Sequence, residues 1–387
     1  MDIAIVAIGY NRIDSLSRLL ASLNAARYPI DKEIPLIISI DKSNTDTVEQ
    51  YADSFSWYHG KKIVDKHSQN LGLRKHVLSL SKWFEIYDVL IVLEDDLVVS
   101  PTFFSYVEQT TKKYWNDDEI AGISLYSFAV NYQTSEPFIP YSSVYDVYFM
   151  NCAMSWGQVW MKHQWQAFQN WYVGHLDFTT TGELPKAICG WPESSWLKYH
   201  TRYCIEENKF FVYPYESYTT NCGEVGTHNK KSSPVYQVPL YMGVEKELNL
   251  PNCGDEAVYY DGFFENLNLN SCLGYTEEIC CVDLNGTKGN VEGKTYWLTT
   301  QCLDYKIIKS YGMAFRPIEQ NVMLNHVGEE VFLYDTRVKV KHHLSKNYNS
   351  PILYKYYLPN ILFLLRKYGL GNVFNDVMKY IFNKLMK

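Results

Sequence analysis

Short apolar runs alternate with segments of helical spacing through the first hundred residues of this 387-residue chain. Residues 3–8, 34–40 and 89–93 form apolar runs long enough for a buried strand and too short for a typical helix. Helices are predicted between them, at about 15–23 and 73–84. Strands separated by helices indicate an α/β fold with a mixed, mainly parallel sheet flanked by helices.

Composition divides the chain into three predicted portions. Residues 1–230 carry the strand and helix alternation, with an irregular Trp- and Tyr-rich pattern from about residue 124 to 228 and a further helix predicted around 157–171. Residues 231–340 are rich in turn residues and predict a β-rich and loop-rich accessory portion. Residues 341–387 are basic and aromatic, and their apolar positions predict an amphipathic C-terminal helix.

Charge and cysteine content exclude some classes of protein. A net charge of -7 argues against a nucleic-acid binder, which would present a basic face. The nine cysteines form no CxxC pair, which argues against a structural zinc site. The opening strand-like run shows no leader, and no run of 18 apolar residues occurs, so we expect a cytoplasmic protein. The basic tail predicts either docking on the inner face of a membrane or packing onto the rest of the chain.

Polar residues follow each apolar run, where the carboxyl ends of parallel strands bind ligands in open α/β sheets. They are Asn11 with Arg12, then Asp41, then the trio Glu94, Asp95 and Asp96. Three consecutive carboxylates repel one another unless a cation offsets their charge. Mg²⁺ or Mn²⁺ would do so, sharing the carboxylates with phosphate oxygens. The alternative is an exposed acidic turn.

Residues 70–76 and 87–104, which include this trio and a Pro-containing turn before paired Phe, resemble the GT-A glycosyltransferases. The similarity is greatest to the N-acetylglucosaminyltransferases that initiate complex N-glycans. The resemblance implies a GT-A (Rossmann-like) catalytic domain over 1–230, with a nucleotide-sugar half in 1–110 and an acceptor half in 111–230. It assigns Asp96 to the metal, Glu94 and Asp95 to the donor, and the 9–12 loop with Asn11 and Arg12 to the nucleotide.

Two further donor contacts are predicted in the first half. Asp41 resembles the Asp after the second strand that accepts a hydrogen bond from uracil, and a turn cap is the alternative. Arg74 opens a helix whose N-terminal end favours phosphate, and its charge would offset a diphosphate. A solvated basic face is the alternative for Arg74.

The middle of the chain resembles the same enzymes and bacterial polysaccharide glycosyltransferases. In residues 152–160, Trp156 belongs to a Ser-Trp-Gly segment that lines the sugar pocket in the family. In residues 190–196, Glu193 lies between tryptophans where the family places an acidic general base, usually Asp. A carboxylate suits that role because a sugar hydroxyl is a poor nucleophile near neutral pH. A helix cap is the alternative for Glu193, and Asp177 and Glu183 are reserve candidates.

A glycine-containing segment, 220–228, ends in His228 and resembles a segment of bacterial members of the family. The resemblance implies that His228 contacts the metal or the donor phosphate. A hydrogen-bonded loop histidine is the alternative.

These features together predict a metal-dependent inverting glycosyltransferase that uses Mn²⁺ or Mg²⁺. The resemblance implies a UDP-sugar donor, with N-acetylglucosamine the best-known sugar of the family. The predicted acceptor is a glycan or a lipid-linked oligosaccharide, as in bacterial polysaccharide biosynthesis. A sugar-nucleotide-forming nucleotidyltransferase and a non-catalytic carbohydrate-binding protein are the alternatives. The first would normally carry a Gly-rich loop with a basic residue after the first strand.

Overall fold

The computed structural model describes residues 1–178, 183–226, 232–289 and 291–342, with positions 365–367, 369–371, 374 and 378. The chain forms two compact units. The first comprises Met1–Gln301 with Tyr305–Lys339, and the second comprises Cys302–Asp304 with Val340–Lys387.

The strands in the described residues alternate with helices in the first hundred residues and follow one another more closely later. In chain order they are β1 (Ile3–Gly9), β2 (Leu36–Ile40), β3 (Lys62–Lys66), β4 (Val89–Glu94), β5 (Leu97–Val99), β6 (Ile120–Ser124), β7 (Val130–Asn131), β8 (Glu136–Pro137), β9 (Val147–Met150), β10 (Gln158–Met161), β11 (Phe210–Pro214), β12 (Thr219–Asn221), β13 (Tyr259–Tyr260), β14 (Cys280–Asp283), β15 (Tyr296–Thr299), β16 (Tyr305–Tyr311) and β17 (Val331–Lys339).

The α-helices lie mostly between strands of the main sheet, and two short 3₁₀ turns accompany them at Leu80–Glu85 and Pro234–Tyr236. They are α1 (Ile13–Asn24), α2 (Thr47–Ser54), α3 (Leu73–Ser79), α4 (Phe103–Tyr114), α5 (Lys162–Val173), α6 (Lys186–Cys189), α7 (Leu197–Glu206), α8 (Asn268–Leu273) and α9 (Glu319–Met323).

A nine-stranded main sheet has the order β13-β9-β11-β6-β10-β4-β1-β2-β3. β1 pairs in parallel with both β2 and β4, and β2 pairs in parallel with β3. β10 is antiparallel to its neighbours β4 and β6, and β9 is antiparallel to β11. The mixed, mainly parallel α/β sheet predicted from the sequence is therefore confirmed, and the carboxyl ends of β1, β2 and β4 lie at one edge.

Alternating side chains of the central strands face two different cores. Ile91 and Leu93 pack on one face with the leucines of α1 and with apolar side chains of α2 and α4, whereas Leu90 and Val92 pack on the other with α3, α5 and α7. The period of two in a strand produces this division, and burial on both faces explains why β4 reads as a continuous apolar run.

The helix expected around 157–171 begins later than the sequence indicated. Residues 158–161 form β10, and only Lys162–Val173 is helical. Val159 and Met161 face one core and Trp160 the other, so the segment is buried on both sides as a central strand. An apolar run next to a helix cannot be separated from that helix by periodicity alone.

The later part of the first unit adds a smaller sheet with the order β14-β15-β17-β16, and it encloses a third core. This sheet matches the extra β structure expected after residue 230. β13 instead pairs with β9 at the border of the main sheet. Most of the predicted amphipathic tail lies outside the described residues. Within the described residues, no helix has the length and apolar character needed to cross a membrane.

Candidate functional site

The trio Glu94, Asp95 and Asp96 ends the central strand β4, and we call it the acidic corner. The chain continues at once into β5, which pairs with β12 in an antiparallel ribbon. The Cys222 N–H donates to the Asp96 carbonyl at 2.9 Å, extending that ribbon to the corner itself. The main sheet and the ribbon therefore fix the backbone of the corner from two sides.

Arg12 reaches the acidic corner from the loop after β1. Its Nη2 forms an ion pair with Asp95 Oδ1, and its Nε donates to Asp95 Oδ2 at 3.3 Å. The same Nη2 lies 3.5 Å from Asp96 Oδ2. Sequence reasoning assigned Arg12 to the nucleotide and missed this contact. The available signal was the strand order, because Ile8 of β1 lies opposite Glu94 of β4.

Burial raises the pKa values of two carboxyl groups in the acidic corner. Burial raises the pKa of Glu94 to about 8, and the charges of Asp96 and Asp95 raise it further against the opposing effect of Arg12. The Ser155 side chain lies near Glu94 and, like Arg12, acts to lower its pKa. Burial also raises the pKa of Asp95 to about 6, although Arg12 acts in the opposite direction. One guanidinium therefore does not offset the charge of three carboxylates.

Asp96 retains an unused oxygen. Its Oδ1 is buried and has no hydrogen-bond partner among the described residues. A hard divalent cation would suit this atom, because Mg²⁺-type ions bind through one or two carboxylates and take further oxygens from phosphates and water. The described residues contain no group of three or more His, Cys, Asp or Glu side chains that could hold a metal ion by itself. The corner thus fits a cation that a bound diphosphate shares.

The segment after β12 passes beside this site. A methyl group on Gly226 would lie 3.1 Å from Arg12 Nη1, and Glu224 accepts hydrogen bonds from Ser15 at 2.6 Å and Arg18 at 2.8 Å. These two contacts of Glu224 were not foreseen from the sequence. His228, two positions beyond Gly226, lies outside the described residues, so its metal role stays a prediction.

Asp41 is buried and holds the loop that precedes α3. Its Oδ1 accepts the N–H of Leu71 at 2.8 Å, and its Oδ2 accepts the N–H of Gly72 at 2.9 Å. Oδ1 also accepts the N–H of Lys42 at 2.9 Å. Asp41 therefore caps a turn at the carboxyl edge of β2, and its contact with uracil stays a prediction. Asn11, after β1, is exposed at the same edge.

Arg74 and Glu193 come together although they are distant in sequence. Arg74 Nη1 donates to the carbonyl of Glu193 at 2.7 Å and to the Tyr199 hydroxyl at 3.1 Å. The Glu193 side chain is 75% exposed and pairs at 3.1 Å with Lys198, whose side chain is only 2% exposed. The hydrogen bond from Lys198 holds the pKa of Glu193 below its ordinary value. The reserve candidates Asp177 and Glu183 are both exposed.

Trp156 lies in the turn that leads into β10, directly after Ser155. Its ring packs against Tyr126 at 4.9 Å and Tyr236 at 4.6 Å between centroids. Gly157 follows with φ 97°, and a Cβ there would lie 2.9 Å from Thr219. Only glycine suits this conformation and this close approach, which explains the Ser-Trp-Gly sequence. The turn brings Ser155 to the acidic corner.

Comparisons with known proteins give structural similarity only. No protein-family model matches the chain. No curated protein sequence matches it either.

Several glycosyltransferases are among the similar solved structures. Residues 1–349 of S. aureus TarS match with 14% identity over 57% of this chain and 60% of that chain, at a TM-score of 0.37. A mannosyltransferase from Pyrobaculum calidifontis, in complex with GDP-Man and Mn²⁺, matches with 9% identity over 55% of this chain and 56% of that chain, at 0.34. GalNAc-T7 with UDP, GalNAc and Mn²⁺ matches with 12% identity over 56% of this chain and 42% of that chain, at a TM-score of 0.37. Each match spans less than two thirds of the solved chain.

Proposed function

We propose that this protein transfers a sugar from a nucleoside diphosphate donor to an acceptor hydroxyl with the help of Mn²⁺ or Mg²⁺. The observation that carries the proposal is the acidic corner, where a buried oxygen of Asp96, close to the Arg12 guanidinium, has no partner among the residues that the structure describes. The donor class that we propose is a UDP-sugar, with N-acetylglucosamine as the first sugar to test. The proposed acceptor is a glycan or a lipid-linked oligosaccharide, reached at a membrane surface with the help of the basic tail.

Asp96 is the residue that would hold the cation, with His228 as a second ligand. When bound, the cation offsets the charge that develops on the leaving diphosphate. Arg12 already balances Asp95 and part of the charge of Asp96, so it keeps the corner folded before a ligand arrives. Arg74 lies at the start of α3, where its guanidinium and the first N–H groups of the helix favour the diphosphate.

Glu193 is the proposed general base. In the single displacement, the acceptor oxygen bonds to the anomeric carbon as the bond from that carbon to the diphosphate oxygen breaks. The acceptor proton passes to the Glu193 carboxylate. Its lowered pKa keeps that carboxylate ionised at neutral pH, and Lys198 with Tyr199 holds its position. Trp156 and Ser155 form the adjacent wall for the sugar.

A screen of nucleotide sugars for Mn²⁺-dependent hydrolysis tests the proposal. We expect wild-type protein to release the nucleoside diphosphate from one donor, and Asp96→Ala to do so about 10³-fold more slowly, since a metal contributes several kcal/mol of charge stabilisation. Hydrolysis unaffected by Asp96→Ala would contradict the metal assignment. Release of pyrophosphate from a nucleoside triphosphate and a sugar phosphate would identify a nucleotidyltransferase. Donor binding without turnover under any condition would identify a binding protein.

Glu193→Gln separates the base from donor binding. We expect transfer to an acceptor to fall roughly 10²-fold, because the general base is lost, while the affinity for the nucleotide stays unchanged. Glu183→Gln is the matched control, since Glu183 is an exposed acid on the segment just before Glu193. If Glu183→Gln reduces transfer and Glu193→Gln does not, the base is Glu183.

A further inference from the structure

A second cavity opens beside α4 and takes no part in the proposed chemistry. It has a volume of about 270 Å³, and tyrosines from three parts of the chain line it. We call it the tyrosine cavity, and define it by Tyr106, Tyr145, Tyr215, Tyr218 and Lys246. Pockets for small molecules usually have volumes of roughly 300–1,000 Å³, so this one suits a single ring.

Aromatic faces supply the apolar part of the tyrosine cavity. The rings of Tyr106 and Tyr218 stack with centroids 4.5 Å apart and an angle of 21°, and both residues are buried. Tyr145 and Tyr215 are half-buried and form the more open part of the wall. Flat amphipathic rings of this kind favour a ligand with both an apolar face and polar groups.

The charged groups of the cavity are already paired with each other. Lys246 Nζ lies 2.8 Å from Asp146 Oδ1 and 3.1 Å from Glu216 Oε2. Asp146 Oδ2 also accepts the N–H of Asn249 at 2.7 Å. Two carboxylates and one ammonium leave a net negative charge, which disfavours a phosphate or another anion. The ammonium already occupies the position that a metal cation would take between the two carboxylates.

The Tyr218 hydroxyl is available to a ligand in the tyrosine cavity. Tyr218 is 4% exposed, lines the cavity, and has no hydrogen bond from its hydroxyl to any described residue. The hydroxyl of Tyr106, by contrast, donates to the Ser124 carbonyl at 3.1 Å. The Tyr218 hydroxyl oxygen is open to the cavity, where water or a ligand can supply its hydrogen bond. This hydroxyl therefore points to a polar ligand.

We propose that the tyrosine cavity binds one neutral pyranose ring, with the ring against the half-buried Tyr145 and Tyr215 and a sugar hydroxyl bonded to Tyr218. An uncharged polyol bonds to this hydroxyl, tolerates the paired charges and fills the available volume. The site is separate from the acidic corner and stands independently of the transferase proposal. The two sites share one segment, since the 214–218 wall of the cavity runs into β12, whose next residue contacts Asp96.

Saturation-transfer-difference NMR tests the site without nucleotide or metal present. The probes are the methyl glycosides of glucose, galactose, mannose and N-acetylglucosamine, and a linear trisaccharide of whichever sugar binds. We expect saturable binding of one of them. Tyr218→Phe keeps the stacked ring and removes one neutral hydrogen bond, so its affinity should be about 2- to 10-fold weaker. Tyr145→Ala removes part of the ring platform and should weaken binding further.

Tyr28→Phe is the matched control, because Tyr28 does not line the cavity and its hydroxyl donates to the Leu23 carbonyl. It should leave saccharide affinity unchanged, and Asp96→Ala should do the same. If the trisaccharide binds more tightly than the methyl glycoside, the ligand is a unit of a glycan chain. If the two bind equally, the ligand is a free sugar. The proposal is wrong if no probe binds wild-type protein, or if Tyr218→Phe and Tyr145→Ala bind as wild type does.

Discussion

Two clusters of buried acids occur in the first unit, and they differ in how their charges are satisfied. One is the acidic corner at the end of β4. The other, which we call the accessory cluster, consists of Asp261, Glu265, Asp283 and Lys288 beside the smaller sheet. Burial raises the pKa of Glu94 in the first and that of Glu265 in the second, in each case to about 8.

Backbone groups satisfy the accessory cluster almost completely. The two Glu265 oxygens accept the N–H groups of Leu284 at 2.9 Å and Asn285 at 2.7 Å. Asp283 Oδ1 accepts two more N–H groups, from Thr287 and Lys288 at 2.8 and 2.9 Å. These bonds close the 284–288 turn, so the cluster is explained by its structural role.

The acidic corner has fewer partners, and they come from side chains. Arg12 pairs with both Asp95 and Asp96, and the Ser155 side chain lies near Glu94. Asp96 Oδ1 has no hydrogen-bond partner among the described residues. A raised pKa and burial are common to both clusters, so neither property identifies a functional site. The oxygen of Asp96 without a partner among the described residues does distinguish them, and it should decide how each cluster responds to substitution.

The largest expected effect separates Asp96 from Asp283. Asp96→Asn should slow donor hydrolysis about 10³-fold because the cation loses its carboxylate, while the free energy of unfolding without metal stays the same or rises as repulsion falls. Asp283→Asn should leave activity per folded molecule unchanged and lower the free energy of unfolding by about 1–3 kcal/mol, because the amide turns a donor toward other donors. Denaturant unfolding and a hydrolysis assay measure the two. If Asp96→Asn and Asp283→Asn change hydrolysis and the free energy of unfolding alike, the two clusters do not differ in function.

Breaking the two ion pairs should give the next largest effect. Lys288 lies 2.5 Å from Asp261 in a half-buried pair, and Lys288→Met should lower the free energy of unfolding by on the order of 2 kcal/mol. Arg12→Met leaves the acidic corner without its guanidinium and should also lower stability. Mn²⁺ with UDP should restore the melting temperature of Arg12→Met and have no such effect on Lys288→Met. Restoration of both variants, or of neither, would contradict the proposed cation site.

The smallest effect concerns pH. Glu94 and Glu265 have folded-state pKa values above their ordinary value, so the folded chain binds more protons than the unfolded chain between about pH 4.5 and 8. Stability from these groups is therefore present at the acid end of this range and is lost as pH rises. We expect Glu94→Gln to reduce the fall in melting temperature from pH 5 to 8 by a few degrees. Mn²⁺ with UDP should flatten the same fall in wild type. If neither Glu94→Gln nor Mn²⁺ with UDP changes the fall in melting temperature between pH 5 and 8, the raised pKa of Glu94 in the acidic corner is contradicted.

The sequence predicted the central part of the sheet well because its strands are buried on both faces. The prediction of residues 89–93 matched β4 to within one residue, and the edge at which Asn11, Asp41 and the trio lie followed from the parallel order. The site residues remain untested as ligands. Their neighbours could not be foreseen, because the contacts of Arg12 with Asp95 and of Lys198 with Glu193 depend on how loops fold over the sheet.

The tyrosine cavity shows the same limit more strongly. Its walls come from α4, from residues 142–146 and from residues 214–218 and 246–248. No motif joins these positions, and each tyrosine alone reads as an ordinary core residue. Only the folded chain shows that the Tyr218 hydroxyl is open to the cavity.

The antiparallel placement of β10 between β4 and β6 sets how this protein can vary. Ser155 reaches Glu94 because it precedes β10, whereas Arg12 reaches Asp95 because it follows β1. Side chains in a strand change face with every one-residue shift. A single insertion or deletion within β1, β4 or β10 would therefore turn these groups away from one another. Families of such chains should keep the lengths of these three strands fixed.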